Sequence, residues 1–342
     1  VMEQLSEVAH GMQIDWDVGI PMEDGIILRA DIFRPLDAGQ YPVILSYGPY
    51  GKGLAFQEGF SGGWDRLVAA LPEWVPDGYI CIRVDARGSG NSPGYLSPKS
   101  IRETQDMYQC IEWAANQPWS SGKIGLNGIS YYATNQWYVA SMQPPHLAAM
   151  CVWEGAADYY RDNTHHGGIL SQFLVTLYNW AVWRVQYGVG KNGLRSRANG
   201  RLISGEITLS PEELKSNRID IESSLLAHPL DDAYYKDRSA NWSKIAVPFL
   251  SAANWGGQGL HPRGNFEGFM RAKSPQKRTQ WTKFYLNFDL LTLEQTPSSN
   301  IASIGYDPMG NGVQFLSKPF ESDTEITGPL AAKLFVASES ND

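Results

Sequence analysis

Strand-length apolar runs alternate with helix-spaced apolar positions along the first part of the chain, up to about Gly155. The apolar runs predict buried strands at residues 12–20, 26–34, 42–47, 79–85, 123–127 and 147–154. Helical spacing predicts helices at residues 67–75, 101–116 and 133–142. Such alternation is typical of a mostly parallel sheet with helices on both faces. The sequence therefore predicts an α/β fold.

The pattern changes twice farther along the chain. Residues 158–240 are rich in Trp and Tyr and then polar, and they predict helices at 169–185, 211–217 and 221–226 without a clear strand. A strand is predicted at 247–254, a helix at 265–272, and short strands between Ser, Pro and Gly turns at 282–286, 313–316 and 331–336. We interpret these segments as a helical insertion, a return to the first sheet, and a region of antiparallel β structure.

Charge and composition bear on the class of partner and on the compartment. A net charge of −8 argues against nucleic acid or an anionic membrane as the main partner. No apolar run approaches membrane-spanning length, and no signal peptide is visible. Cys81, Cys110 and Cys151 lie in predicted buried elements, so we expect reduced thiols and a cytoplasmic protein.

The clearest chemical signal is the stretch Gly128-Ile-Ser130-Tyr-Tyr132, between a predicted strand and a predicted helix. A strand, a sharp turn with one Ser and a helix form the context of a nucleophile elbow. Gly128 leaves room for the turn, and the N-terminus of the following helix favours an oxyanion near Ser130. Tyr132 stands where the pattern G-x-S-x-G has its second Gly. The alternative interpretation is that the triplet is only a turn.

A glycine-rich loop after the predicted strand at 79–85 invites comparison with a dinucleotide site. Pro93 stands where that fingerprint requires its third Gly, and no helix begins there. The adjacent His165 and His166 lack a second set of ligands at helical spacing, which argues against a metal site. We therefore predict no cofactor and no metal.

A co-linear set of motifs resembles the Xaa-Pro dipeptidyl-peptidase / cocaine esterase family of α/β-hydrolases. The motifs are Asp24-Gly25-x-x-Leu28-x-Ala30-Asp31-x-x-Arg34-Pro35, Pro49-Tyr50-Gly51-Lys52, Val84-Asp85-x-Arg87-Gly88-x-Gly90-x-Ser92-x-Gly94, Gly125-x-x-Gly128-x-Ser130-Tyr131, Gln143-Pro-Pro-His146-Leu and Trp153-Glu-Gly-Ala-x-Asp158-x-Tyr160-Arg161. The resemblance implies an α/β-hydrolase core at 1–157 and 243–278, a helical cap at 158–242 and a partial C-terminal jelly roll, a β-sandwich, at 279–342.

The same resemblance implies serine hydrolysis of a small ester, amide or short peptide through an acyl-enzyme. Ser130 matches the nucleophile of the family. Tyr50 matches the Tyr whose hydroxyl forms the oxyanion hole together with the backbone N–H after the nucleophile, which here belongs to Tyr131. A tetrahedral intermediate needs donors aimed at its oxyanion, which agrees with these roles. The alternative for Tyr50 is a loop aromatic that packs on the core.

Three departures from the family pattern bear on activity. Gly257 stands where the family usually has its catalytic acid, after Trp255. The family's catalytic His lies farther along the chain, but no His follows His261, and the family pattern predicts that a segment of some tens of residues is missing between Arg278 and Thr279. The jelly roll stops after a few strands, which would leave a sheet edge unpaired and favour association into a homo-oligomer.

A substitute base and a substitute acid must therefore come from elsewhere in the chain. The histidines are His10, His146, His165, His166, His228 and His261. His10 precedes the predicted fold, His146 lies at the wrong end of its strand, and the adjacent pair opens the cap, where it either lines the pocket or is packed or solvated. His261 follows the strand beside the site and is the best candidate base. Glu154 ends the strand after the elbow strand and is the candidate acid, unless it forms an ion pair between cap and core.

Two functional hypotheses follow. The first is a serine hydrolase of the esterase or Xaa-Pro peptidase type, and the second is a non-catalytic member that keeps the pocket without the catalytic groups. Because the acid and the His are absent from their usual places, we expect this chain to be a poor catalyst or none. A fluorophosphonate probe separates the hypotheses, since it labels Ser130 only if a base activates the hydroxyl.

Overall fold

The computed structural model describes residues 5–54, 74–196, 199–254, 259–274, 284–300, 302–305 and 313–318. The chain divides into two compact units, residues 1–277 and 278–342, which are described separately below. Nearly all of the helix predicted at 67–75 and all of the strand predicted at 331–336 lie outside the described residues. The division into core, cap and jelly roll at the boundaries given above stays a prediction.

An eight-stranded sheet forms the centre of the first unit, in the spatial order β1-β2-β3-β5-β4-β6-β7-β10. The strands of this unit are β1 (Leu5–Ala9), β2 (Met12–Pro21), β3 (Ile27–Arg34), β4 (Tyr41–Gly48), β5 (Ile80–Asp85), β6 (Ser120–Ile129), β7 (Leu147–Trp153), β8 (His165–His166), β9 (Ile169–Leu170) and β10 (Phe249–Ala252). Strands β5, β4, β6, β7 and β10 pair in parallel, and β1 to β3 add an antiparallel edge that joins at β5. The predicted α/β fold is confirmed.

The central strands are buried because their side chains are apolar on both faces, as parallel sheets require. Leu45, Ile82, Leu126 and Val152 lie on four neighbouring strands and are at most 2% exposed. Two helices, α1 (Ile101–Ala115) and α2 (Tyr131–Ala140), pack against β6 and bury further apolar side chains. The parallel strands therefore end at one edge of the sheet, where the chain turns into its loops.

The N-terminal strand β1 was not predicted, because its side chains are mostly exposed and give no apolar run. It pairs antiparallel with β2, and His10 lies in the turn between them with a φ of 52°. The expectation that His10 precedes the fold is therefore wrong, because this residue belongs to the first hairpin of the sheet.

The first part of the region predicted as a helical cap differs from the prediction in two details. Strands β8 and β9 form a short hairpin where no strand was expected. The single helix predicted at 169–185 is instead divided into α3 (Phe173–Leu177), a π-helical turn (Tyr178–Val182) and a 3₁₀ turn (Trp183–Val185). Large side chains along this segment are buried in an aromatic cluster. At these buried residues the helix changes from α-helical to π-helical and then to 3₁₀ hydrogen bonding.

Two further helices of the cap, α4 (Pro211–Ser216) and α5 (Ile221–Ala227), agree with the sequence prediction because their capping residues are clear. A third helix, α6 (Ala233–Lys236), was not predicted. Ser210 and Glu213 form a reciprocal capping box at the start of α4, and Asp220 caps α5. The helix α7 (Pro262–Arg271) then follows β10.

The second unit contains a three-stranded sheet within its described residues. Its strands are β11 (Tyr285–Asn287), β12 (Thr292–Glu294) and β13 (Leu316–Ser317). The first pair is antiparallel, as predicted, whereas β12 and β13 pair in parallel. No helix in the described part of either unit is long and apolar enough to cross a membrane.

Candidate active site

Ser130 lies in a strained turn between the end of β6 and the start of α2. Its φ of 60° and ψ of −112° are unusual for a residue with a side chain. Its backbone N–H donates to Trp153 O at 3.0 Å, which ties the turn to β7. A Cβ on Gly128 would lie 2.3 Å from Tyr132 Cβ, so only glycine fits two positions before the serine. The predicted strand–turn–helix arrangement is present.

The departure at Tyr132 is accommodated by a second glycine. A Cβ on Gly48, the last residue of β4, would lie 2.6 Å from the Tyr132 ring. The ring is buried, at 5% exposure, in the space that these glycines leave. The loss of the second Gly of the elbow pattern is therefore compatible with the turn.

A chain of hydrogen bonds connects Ser130 to the two candidate partners. Ser130 Oγ lies 3.0 Å from His261 Nε2, and His261 Nδ1 lies 3.0 Å from Glu154 Oε2. When Nδ1–H donates to Glu154, Nε2 is left as the acceptor for the serine proton. The three side chains thus have the contacts of a nucleophile, a base and an orienting acid.

Burial affects the charge state of the candidate base. Desolvation lowers the pKa of His261, the Glu154 carboxylate raises it, and the positive charge of Lys99 lowers it further, with a net decrease. A lowered pKa favours neutral imidazole near neutral pH, which is the form that can accept a proton.

Two structural features hold the base and the acid in place. His261 occupies the N-cap position of α7, with Pro262 at the first helical position, and Glu154 directly follows β7 with a φ of 56°. Asn265, one turn into α7, accepts from Gly155 N at 2.7 Å and donates to Val152 O at 3.0 Å. Asn265 therefore joins the helix that carries His261 to the strand that precedes Glu154. Sequence reasoning missed this residue, because no motif marked it.

The loop after β4 carries Tyr50 beside the same turn. The Tyr50 ring is buried, and its centroid lies 5.6 Å from the Tyr131 ring and 5.9 Å from the Tyr132 ring. Burial raises the pKa of the Tyr50 hydroxyl, so it stays protonated and able to donate. The Tyr131 hydroxyl instead donates to Glu103 Oε2 at 2.6 Å and accepts from Lys99 N at 2.9 Å.

A buried ionic cluster anchors this loop. Lys52 Nζ lies 2.6 Å from Asp17 Oδ1 and 3.0 Å from Asp31 Oδ1, and Lys52 N donates to Asp85 Oδ1 at 2.6 Å. Burial alone would lower the pKa of Lys52, but the three carboxylates outweigh it and raise the pKa. Lys52 was quoted in a family motif, but its role as an anchor for the Tyr50 loop was not predicted.

The other histidines lie away from Ser130. His146 precedes β7 at the opposite end and contacts Glu112 Oε2 at 2.6 Å, while His228 contacts Asp232 Oδ2 at 2.6 Å. His165 stacks on the Tyr160 ring at 4.4 Å between centroids. Within the described residues, no group of three His, Cys, Asp or Glu side chains could hold a metal ion.

A narrow pocket opens at Ser130. Its lining residues are Tyr50, Lys99, Ser130, Tyr131, Thr134, Ala156, Asn163, Phe173, Leu174, Leu177, Tyr178, Leu260 and His261. The lining combines apolar side chains, mostly from the cap, with the polar groups of Lys99, Ser130, Thr134, Asn163 and His261, which gives an amphipathic site for a small organic molecule. The departures from the family pattern concerned Trp255, Gly257, Arg278 and Thr279. All four lie outside the described residues.

The fold and the Ser130 turn define the class as an α/β-hydrolase-type protein. The model of the X-Pro dipeptidyl-peptidase (S15) family matches residues 24–287, and that of the X-Pro dipeptidyl-peptidase C-terminal non-catalytic domain matches residues 269–342. Because the first match covers more than half of the chain, the chain belongs to the X-Pro dipeptidyl-peptidase (S15) family.

Individual relatives agree with this assignment. A solved CocE/NonD family hydrolase from Staphylococcus aureus is 36% identical, superposes with a TM-score of 0.62, and covers 77% of this chain and 45% of that chain. Cocaine esterase from Rhodococcus sp. is 31% identical over 186 residues, which is 54% of this chain and 30% of the esterase. A solved α-amino acid ester hydrolase shares the fold, with a TM-score of 0.53 at 18% identity. The chain thus spans less than half the length of the Staphylococcus aureus hydrolase and of the Rhodococcus cocaine esterase.

Proposed function

We propose that the chain is a serine hydrolase that cleaves small esters or amides through an acyl-enzyme on Ser130. The observation that carries the proposal is the continuous contact from Ser130 Oγ to His261 Nε2 and from His261 Nδ1 to Glu154, each at 3.0 Å. Membership of a family of esterases and dipeptidyl-peptidases supports the same reaction class.

The proposed reaction has two halves. Ser130 Oγ attacks the carbonyl carbon while His261 Nε2 takes the hydroxyl proton, and the resulting imidazolium is stabilised by Glu154. The bond to the leaving alcohol or amine then breaks as His261 returns the proton to it. Water attacks the acyl-enzyme in the second half, with His261 again accepting a proton and finally giving it back to Ser130.

The oxyanion of each tetrahedral intermediate needs donors. Tyr131 is the first residue of α2, so its backbone N–H has no acceptor within the helix and lies next to the nucleophile. Tyr50, whose ring packs beside Tyr131 in the same pocket, supplies the second donor through its hydroxyl. We assign these two groups to the oxyanion hole, as the family resemblance implies.

The contact between His261 and Ser130 argues against the expectation of poor catalysis, which was based on the absence of the base and the acid from their usual places. Glu154, which directly follows β7, contacts His261. The candidate acid therefore comes from a different position in the chain than the acid of the family pattern. A non-catalytic protein would not need this alignment.

The test is hydrolysis of p-nitrophenyl butyrate and of an Xaa-Pro p-nitroanilide by the purified chain, together with labelling by a fluorophosphonate probe. We expect ester turnover and labelling that Ser130→Ala abolishes and that Ser216→Ala, at an exposed serine of α4, leaves unchanged. Absence of both turnover and Ser130 labelling would support the non-catalytic hypothesis instead.

A further inference from the structure

Lys99 is a buried cation in the wall of the Ser130 pocket. Only 5% of it is exposed, and it lines the pocket together with Ser130 and His261. Its ammonium lies 5.3 Å from the centroid of the Tyr131 ring and 5.5 Å from that of the Tyr159 ring. Lysine is rarely buried so fully without a paired charge, so the position calls for a functional explanation.

The ammonium has unused capacity to donate hydrogen bonds. Among the described residues, its hydrogen-bond acceptor is Asn163 Oδ1 at 2.8 Å, and it forms no ion pair. An ammonium carries three N–H donors, so donors remain for a further acceptor. Because Lys99 and Asn163 both line the pocket, an acceptor group of a bound substrate can reach these donors.

The carboxylates near Lys99 form hydrogen bonds with groups other than its ammonium. Glu103 Oε2 accepts from the Tyr131 hydroxyl at 2.6 Å and from the backbone N–H of Lys99 at 2.5 Å. Asp162 accepts from Arg263 at 2.8 Å and from two backbone N–H groups at 2.8 and 2.9 Å. Among the described residues that line the pocket there is no Asp or Glu, and Lys99 supplies the ammonium that they present to a substrate.

We propose that Lys99 is a specificity-determining residue that selects acyl groups carrying a carboxylate and rejects acyl groups carrying a free ammonium. The inference rests on the proposed function, because the acyl group stays bonded to Ser130 Oγ through both halves of the reaction and so occupies this pocket. A carboxylate satisfies the free donors of the ammonium, whereas an ammonium on the acyl chain adds a second cation without a counter-charge. Half-esters of dicarboxylic acids are then better substrates than esters of amino acids whose free ammonium reaches the same position.

The experiment compares three p-nitrophenyl esters of matched length: hexanoate, the half-ester of adipate, and 6-aminohexanoate. For the wild-type chain we expect kcat/KM to be highest for the adipate half-ester and lowest for the amine. Lys99→Met should reduce the adipate-to-hexanoate ratio by about 10- to 100-fold, the usual effect of losing a hydrogen bond to a charged group. Lys215→Met, at an exposed lysine of α4, should leave all three values unchanged. Ratios between substrates cancel any common effect of Lys99 on His261.

A second measurement keeps the two proposals separable. Binding of monoethyl adipate, ethyl hexanoate and ethyl 6-aminohexanoate to Ser130→Ala is measured by calorimetry, with and without Lys99→Met. Equal kcat/KM values for all three esters, or a ratio that Lys99→Met does not change, overturn the inference while leaving the hydrolase in place. Lys99-dependent binding of monoethyl adipate, with no Ser130-dependent turnover by the wild-type chain, overturns the hydrolase and the selection of acyl groups, and leaves Lys99 as a carboxylate-binding residue. If Lys99→Met does not fold, the wild-type order among the three substrates decides alone.

Discussion

Two lysines are buried close to the candidate site, and their surroundings differ. Lys52, in the Tyr50 loop, is 8% exposed and contacts Asp17 and Asp31 at 2.6 and 3.0 Å. Lys99, in the pocket wall, is 5% exposed and has a neutral amide, Asn163, as its acceptor. The two lysine side chains are thus buried to a similar degree, but among the described residues Lys52 is paired with carboxylates whereas Lys99 is not.

The pKa values of the two lysines move in opposite directions. Burial is the largest influence on both, and it lowers the pKa of Lys99 to about 8, because Glu103 and Asp162 compensate only in part. Around Lys52 the carboxylates outweigh burial and raise the pKa. This difference indicates that the Lys52 cluster is a fixed support, whereas the Lys99 ammonium is only partly compensated and is accessible to a substrate in the pocket.

The largest expected effect is the loss of catalysis in His261→Ala, which tests whether the reaction takes place in the Ser130 pocket. His261→Ala should reduce kcat for p-nitrophenyl butyrate by about 10⁴-fold or more, because the serine loses its base. Thermal unfolding should change little, since His261 is partly exposed at 17%. His146→Ala, at the opposite end of the sheet, serves as the control and should keep full activity. An unchanged kcat in His261→Ala would remove the base from the mechanism.

Glu154→Gln should have the next largest effect. A glutamine amide can donate to Nδ1 and so favour the tautomer in which Nε2 carries the proton and cannot act as a base. We expect kcat to fall by about 10²- to 10⁴-fold with KM nearly unchanged. Glu112→Gln is the matched control, because Glu112 also contacts a histidine but far from Ser130. Equal activities of the two variants would mean that Glu154 only joins elements of the fold.

Lys52→Met tests whether the Lys52 cluster stabilises the fold. Removing the cation takes away the shared partner of Asp17, Asp31 and Asp85, of which Asp17 keeps its ion pair with Arg201, and we expect a loss of about 3–5 kcal/mol in the free energy of unfolding. Chemical denaturation followed by circular dichroism measures this loss. The control is Arg271→Met, whose side chain is exposed and whose ion pair with Glu267 should contribute less than about 1 kcal/mol. A loss in Lys52→Met as small as in the control would contradict the role of the cluster as a support.

The sequence predicted the fold well where local pattern and tertiary structure agree. The strands from 42 to 154 are continuous apolar runs, and the structure places them in the sheet with ends shifted by a few residues. The pattern failed at β1, which is mostly exposed, and at 169–185, where packing of large side chains overrides helical spacing.

The candidate site was predicted less completely. Ser130 and Tyr50 lie in recognisable motifs, and reasoning from strand ends selected His261 and Glu154 as candidates. The distances among them depend on how the helix α7 docks on β7, through Asn265, which no motif marks. Lys99 could not be selected from the sequence either, because its position beside Ser130 is set by the packing of Tyr131 and Tyr159.

The smallest expected effect is the pH dependence of stability that distinguishes the two lysines. The pKa of folded Lys99 is about 8, below the value of 10.5 for an unperturbed lysine. Between these values the unfolded state binds more protons than the folded state, so the free energy of unfolding should rise with pH. The slope from one such group is at most about 1.4 kcal/mol per pH unit. Lys99→Met should lack this rise when urea unfolding is measured from pH 7.5 to pH 10.

Lys52 should contribute little to that slope, because its folded pKa is raised and its unfolded pKa is that of an ordinary lysine, so that it stays mostly protonated in both states up to about pH 9.5. Its stabilising charge would be lost only at higher pH, where stability falls as the pH passes the folded pKa. Subtracting the Lys99→Met curve from the wild-type curve therefore isolates Lys99 from other groups that titrate in both proteins. Parallel curves for the two proteins would show that the Lys99 ammonium is as well compensated as that of Lys52, and the contrast between the two regions would disappear.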